Sequence, residues 1–322
     1  MRHSGSHGGP AKRPLQEPSP GYGKRLYTGD PSQPARTLGA PRQHSKLGKY
    51  VTAGGVTVDC TADLLDDPKV QLEALVDKLD SHRGCLFESS YEFPGRYARW
   101  TMGFSDPPVA LEACGRKFTV TALNARGRVL LPPIAAVLRE TPALASLAEE
   151  DAGGTSLLRG VVRDAEGDFP EEERSRQHSI FSIVRAMQAL FHFDDEPQLG
   201  LYGAFGYDLT YQFESVKLHQ KRVDGQRDLV LFIPDEVLVI DILSNAAWTL
   251  RYEFSTAAGS TSGLPREGSA QAYVPTREAD IPRRRDHKAG AFAEKVTKAK
   301  EEFKVGSIVD QTNDCREASC SR

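Results

Sequence analysis

The side chains with the clearest capacity for chemistry lie in one stretch, Cys85-Leu-Phe-Glu-Ser-Ser-Tyr-Glu-Phe-Pro-Gly-Arg-Tyr-Ala-Arg-Trp100. A carboxylate and two hydroxyls, Glu88, Ser89 and Ser90, follow directly on the apolar pair Leu86-Phe87. Apolar residues running into turn signals, here Pro94-Gly95, read as a strand that ends at a corner. A carboxylate beside hydroxyls suits a small polar ligand that carries an ammonium group. The same pattern also describes a strand leaving the core with its polar residues solvated. The residues alone leave both readings open.

A second stretch, Leu199-Gly-Leu-Tyr-Gly-Ala-Phe-Gly-Tyr-Asp-Leu209, offers three glycines that could cradle a phosphate. Their spacing matches neither GxGxxG nor the P-loop, and no Lys-Ser or Lys-Thr follows. Glycines in an aromatic strand serve close backbone approach or a bulge instead. Five cysteines, Cys60, Cys85, Cys114, Cys315 and Cys320, are odd in number and include no CxxC pair. Neither a zinc ribbon nor a disulfide framework follows, and a reducing compartment fits best.

The elements that must position the Glu88 stretch are legible around it. Asp67-Pro68 opens a helix as N-cap and first helical residue. Leu72, Leu75, Val76 and Leu79 form its buried face, Gly84 closes it, and it packs beside the strand that follows. Strands are expected over Val109–Cys114 and Lys117–Asn124, joined by a Gly115-Arg116 hairpin. Ala125-Arg126-Gly127 turns the chain into a further strand, Arg128–Leu131, and Pro132-Pro133 starts a short helix through Arg139. Residues 140–170 are mixed, with a loop at Gly153-Gly154. Glu171, Glu172 and Glu173 suit the start of a long helix, whose stripe is Ile180, Ile183, Val184, Met187, Leu190 and Phe191. Strands follow over Asp228–Pro234, Glu236–Ile242 and Trp248–Phe254. Residues 255–288 lose periodicity and read as a linker. A last amphipathic helix, Ala289 to Lys304, is expected to bury Phe292, Val296, Ala299 and Phe303. Successive strands with short turns imply an α+β fold of antiparallel sheets flanked by helices.

The charge is uneven. Residues 1–49 carry nine cations and two acids, hence +7, which leaves −10 for the rest of a chain whose net charge is −3. An acidic body argues against nucleic acid as the main partner. No apolar run reaches the roughly 18 residues that span a bilayer. The proline- and glycine-rich leader, residues 1–47, reads as disordered. It is a solvated extension, a transit peptide or a basic arm. The chain is expected in the cytoplasm, or in a plastid should the leader be a transit peptide.

Phe87-Glu88-Ser89 resembles the Leu-Leu-Glu-Ser element of anthranilate synthase component I. The run Ser90 to Trp100 resembles the bacterial type fused to its glutaminase. Gly203-Ala-Phe-Gly-Tyr-Asp208 and residues 231–241 are similar to further segments of that family. The resemblance covers about residues 50–306. Beyond the disordered leader over 1–47 it implies the family's N-terminal domain over 48–255, then, across the linker over 256–288, the start of the chorismate-binding domain over 289–306; the tail over 307–322 diverges from it. The complete family fold is an α/β/β/α sandwich whose sheets draw on both halves.

The activity implied is amination of chorismate with glutamine-derived ammonia and loss of pyruvate, a lyase reaction in tryptophan biosynthesis. The partners implied are a glutamine amidotransferase subunit or domain, chorismate, and L-tryptophan as feedback effector. By resemblance Ser89 hydrogen-bonds the effector and Glu88 faces its ammonium. The family takes its general base and Mg2+ ligands from the C-terminal half. The likeness fails after Gly306, so no catalytic residue and no metal ligand is assigned, and the chain is expected to be inactive alone. The family's Asn-Pro-x-x-Tyr-Met element, which completes the effector pocket, is not matched either, so weak binding is expected. A stand-alone tryptophan-sensing or glutaminase-binding module, and an aminodeoxychorismate or isochorismate synthase relative, are the alternatives.

Overall fold

The computed structural model describes residues 46–88, 100–164, 176–213, 222, 225–242, 244–268, 270, 288 and 290–305. The chain divides into two units, Met1–Ala272 and Tyr273–Arg322. In the first unit the described strands form two sheets, and every pairing is antiparallel. One sheet runs β1 (Gly48–Val51), β2 (Thr57–Leu65), β12 (Ala246–Thr256), β11 (Glu236–Asp241), β4 (Trp100–Ser105) and β3 (Gly84–Phe87), with β13 (Gly259–Ser260) beside β12. The other runs β7 (Leu144–Ala152), β8 (Thr155–Val162), β6 (Lys117–Ala122), β5 (Val109–Cys114), β10 (Leu229–Ile233) and β9 (Tyr202–Phe205). The chain crosses between sheets at two corners, Asp106-Pro107-Pro108 after β4 and Pro234-Asp235 after β10. Proline lacks the donor that would continue a ladder, so each corner ends one pairing where the next begins. The α+β class is as expected.

Local signals explain most elements. The Asp67 carboxylate accepts from Lys69 N at 2.9 Å and caps α1 (Pro68–Leu79). Leu75 and the partly buried Leu72 and Leu79 pack on Leu238, Ile240 and Ala247 of the first sheet and on Leu86 of β3. Val76 is 44% exposed, and Asp80, not Gly84, caps the helix; Gly84 opens β3 instead. The hairpin at Gly115-Arg116 is present, with Gly115 at φ +57. All six residues of the Ile180–Phe191 stripe are buried on α3 (Ile180–Phe191). Its N-cap is Ser179, and Glu171 to Glu173 lie outside the described residues. A hairpin, β7 to β8 with Gly153-Gly154 at its turn, occupies much of the stretch read as mixed.

The largest correction is α2 (Ala125–Arg139), a single helix where a turn, a strand and a short helix were expected. Asn124 caps it, its Oδ1 accepting from Gly127 N at 3.0 Å. Pro132 and Pro133 lie inside it. Pro133 has no N–H for the carbonyl four residues back. That carbonyl, of Val129, receives the Thr256 hydroxyl at 3.5 Å from β12, which helps explain why the helix survives its prolines.

The supposed turn residue Arg126 is fully buried on α2. Its Nε pairs with the Asp235 carboxylate at the β10–β11 corner. Its Nη1 donates to Thr261 O at 2.8 Å and lies 3.0 Å from Glu253 Oε2, and its Nη2 donates to Tyr252 O at 2.9 Å. Arg266 adds a second cation, 2.7 Å from Glu253 and 3.7 Å from Asp235. Two arginines thus face two carboxylates, the balance a buried cluster requires. Burial pushes the Asp235 carboxyl upward, against the pull of Arg126 and Arg266. Around this cluster, alternate residues of both sheets (Val58, Leu111, Val120, Val239, Leu250, Phe254) and the inner faces of α2 and α3 form one apolar core.

Residues 256–268, read as linker, carry β13 and the fully buried Thr261. In the second unit the helix α4 (Ala291–Val305) forms as the periodicity predicts. Its expected buried face is exposed: Phe292 65%, Val296 37% and Phe303 63%. No helix among the described residues is long and apolar enough to cross a membrane.

Candidate functional site

The element carrying Glu88 is built on an edge. Among the described residues β3 pairs with β4 alone, Gly84 opposite Ser105 and Phe87 opposite Met102. Gly84 is required there. A Cβ on it would stand 2.1 Å from Phe104 O and 2.9 Å from Ser105 Cα, so the two strands meet only because that atom is missing. Glu88 follows β3 directly and is exposed. Ser89, Ser90 and the run to Arg99 lie outside the described residues. Trp100 resumes the chain on β4 opposite Asp241, and its ring stands 6.1 Å edge-on to Trp248.

Behind this element the two sheets are joined by aromatic side chains. The Phe87 ring is 6.0 Å from Tyr202 of β9, Tyr202 is 5.9 Å from Phe104 of β4, and Phe104 is 5.9 Å from Phe232 of β10. Tilted and edge-on pairs at these separations are the favoured arrangement. The Tyr202 hydroxyl donates to Gln198 O at 2.6 Å, and burial, then the nearby Glu196 charge, push its pKa upward. The phenol is therefore a fixed donor.

Tyr202 also lines a cavity of about 520 Å³ together with Val184, Gln188, His192, Glu196 and Phe205. The Glu196 carboxylate, 3% exposed, is taken up by protein donors: Lys46 N at 2.7 Å, Gln198 N at 3.0 Å and the Tyr252 hydroxyl at 3.0 Å. Its role is to tie β12 to the turn before β9. Gly203 and Gly206, in the glycine-rich stretch, allow close backbone approach: a Cβ would stand 2.0 Å from Val230 O at Gly203 and 2.9 Å from Asp228 O at Gly206. A 3-10 helix, Tyr207–Gln212, follows them.

Among the described residues no three His, Cys, Asp or Glu side chains stand together as metal ligands. Cys60, Cys85 and Cys114 are free thiols, while Cys315 and Cys320 lie outside the described residues. Burial, then the negative charges of Glu196 and Asp59, push the Cys60 thiol up to about 12. The sign is that of a group kept neutral: at pH 8 about one molecule in ten thousand carries the thiolate that reacts. Alkylation of the native chain at pH 8 should label exposed Cys114 and spare Cys60 until the chain unfolds. Mass spectrometry of the labelled peptides checks this, and early labelling of Cys60 would contradict it.

Sequence reasoning found Glu88 by residue type but not its aromatic backing. Tyr202 is legible only as part of an aromatic, glycine-rich strand and Phe104 falls in no expected element, because nothing local says that β3 and β9 face each other. Taken together, fold and site define an α+β unit of two antiparallel sheets with a polar element at the open end of an edge strand. No protein-family model matches the chain. It is 43% identical over 277 residues, 86% of its length, to the anthranilate synthase of Azospirillum brasilense. That similarity supports the anthranilate synthase family as its place. The match spans 37% of the relative's own length.

Proposed function

We propose that residues 46–268 form the N-terminal, effector-sensing part of an anthranilate synthase, the lyase that makes anthranilate and pyruvate from chorismate and glutamine-derived ammonia. The observation that carries the reading is the placement of Glu88. It is an exposed carboxylate at the end of an edge strand, one residue beyond a ring packed on Tyr202. Such a group can meet an ammonium while the neighbouring rings receive an aromatic side chain. In this reading L-tryptophan is the effector, Glu88 faces its ammonium and Ser89 hydrogen-bonds it. A glutamine amidotransferase supplies the ammonia, and Mg2+ serves the chemistry on chorismate. No described residue is assigned to that chemistry.

The first test is calorimetric titration of the chain with L-tryptophan. Glu88→Gln should weaken binding by about two- to fivefold, since an exposed ion pair contributes only modestly, and Ser89→Ala should weaken it too. Wild-type heat no larger than that of Ser89→Ala would remove the support. The continuous core of the first unit favours a second reading, a stand-alone tryptophan-sensing or glutaminase-binding module. Growth of a tryptophan auxotroph that carries only the catalytic half of an anthranilate synthase decides between them: rescue that depends on adding this chain supports the enzyme part, and failure to rescue with retained tryptophan binding favours the module.

A further inference from the structure

Asp106 occupies the corner where the chain leaves β4 for β5. It is 5% exposed and holds φ at +53, a left-handed conformation. A non-glycine residue keeps such a conformation where its surroundings over-determine it, and Asp tolerates it because its short side chain bonds locally. The surroundings here come from two directions. On one side Oδ1 lies 2.9 Å from His82 Nδ1, Oδ2 lies 3.0 Å from Lys78 Nζ, and the Asp106 N–H donates to Arg83 O at 2.7 Å. Lys78, His82 and Arg83 lead from the end of α1 into Gly84, the first residue of β3. On the other side the Asn124 amide donates both to Asp106 O at 3.4 Å and to Arg266 O at 3.2 Å. A Cβ on Gly268 would stand 2.9 Å from Asp106 Oδ1, so the backbone of that segment lies directly against the carboxylate. Arg266 then reaches Glu253 and Asp235 in the cluster around Arg126.

We infer that Asp106 is a positioning residue that ties the root of β3, and with it Glu88, to residues 266–268, the segment that precedes the second unit in the chain. Its carboxylate seats the strand through Lys78 and His82, and the same corner seats the segment through Asn124 and close contact. A ligand that shifts β3 therefore changes the hold on residues 266–268. The regulatory meaning rests on the effector reading of Glu88 and Ser89; the mechanical tie does not. A contiguous set of contacts becomes coupling only when a change at one end is read at the other.

The test is hydrogen exchange by mass spectrometry on the whole chain, wild type against Asp106→Asn and Lys78→Gln. Asn keeps the tolerance for positive φ and removes the charge, while Lys78 is partly exposed, so its variant should fold should the first fail. Exchange is expected to rise about tenfold in Asp106→Asn, and several-fold in Lys78→Gln, at Gly84–Phe87 and at Thr261–Gly268 together. The strands β2 and β6 should stay protected, and Lys78→Arg should restore the wild-type pattern. A rise confined to Gly84–Phe87, or none, overturns the tie. Saturating L-tryptophan separates the two readings. Linked exchange in Lys78→Gln with no tryptophan response in wild type retires the effector reading and upholds the tie. Tryptophan protection of β3 with no change at 261–268 upholds the effector and overturns the tie.

Discussion

Arg126→Met should lower the unfolding free energy by about 3–5 kcal/mol, the cost of removing one partner from a buried ion cluster. The guanidinium is wholly inside and serves four structures at once: the β10–β11 corner, β12, the Thr261 carbonyl and its own helix. Methionine fills much of the volume but leaves Asp235 with Arg266 alone, 3.7 Å away. A buried carboxylate without its principal cation carries its full desolvation cost. Urea denaturation followed by circular dichroism measures the loss as a lower midpoint at unchanged slope. The double variant Arg126→Met/Asp235→Leu should recover part of it, because it removes the uncompensated buried carboxylate, and only part, because the Thr261 and Tyr252 carbonyls still lose their donor. A single variant that loses less than about 1 kcal/mol, the range of an exposed pair, would mean that the cluster is open to water.

Gly84→Ala is the second change with a large expected effect, and it acts on the site itself. Two of the three nearest atoms to a new Cβ are backbone, Phe104 O at 2.1 Å and Ser105 Cα at 2.9 Å, and the third is Leu79 Cδ2 at 2.6 Å. Backbone cannot rotate away, so β3 must lift from β4 or α1 must retreat. Overpacking of this kind costs about 1–3 kcal/mol, and more where a main chain moves. Because β3 has no second described neighbour, separation of the strand is the easier response. The amides of Gly84–Phe87 should then exchange freely, and any tryptophan binding should be lost. Gly55→Ala is the control. It stands at φ +81 with nothing within 4 Å, so it bears only the left-handed strain of about 1–2 kcal/mol, without displacing β3. Protection of β3 in Gly84→Ala equal to that in Gly55→Ala would sink the expectation.

How much of this was legible beforehand depended on the range of the signal. The cap at Asp67, the Gly115 turn and the α3 stripe each lie within a dozen residues, and each is where the pattern placed it. Pro132-Pro133 was read as a boundary because proline removes a helical donor; that Thr256 would arrive from 127 residues away to take up the freed Val129 carbonyl has no local trace. Ala125-Arg126-Gly127 reads as a turn between two strands, and the partners that allow the burial of Arg126 come from the β10–β11 corner, β12 and the segment after β13. The apolar face of α4 was visible as a period, whereas its exposure was not.

The residue types that could meet an ammonium-bearing ligand, the antiparallel α+β class, and a likeness in ordered segments to one enzyme family were all readable without coordinates. Those are properties of composition, of short periodicity and of motif order. The folded chain adds that Glu88 follows a strand at the edge of its sheet among the described residues, that Phe87 meets Tyr202 of the other sheet, and that Asp106 lies between Lys78 and Gly268. Each of these joins residues far apart in the chain, and such contacts are chosen by the packing of whole sheets and helices, which no single segment encodes.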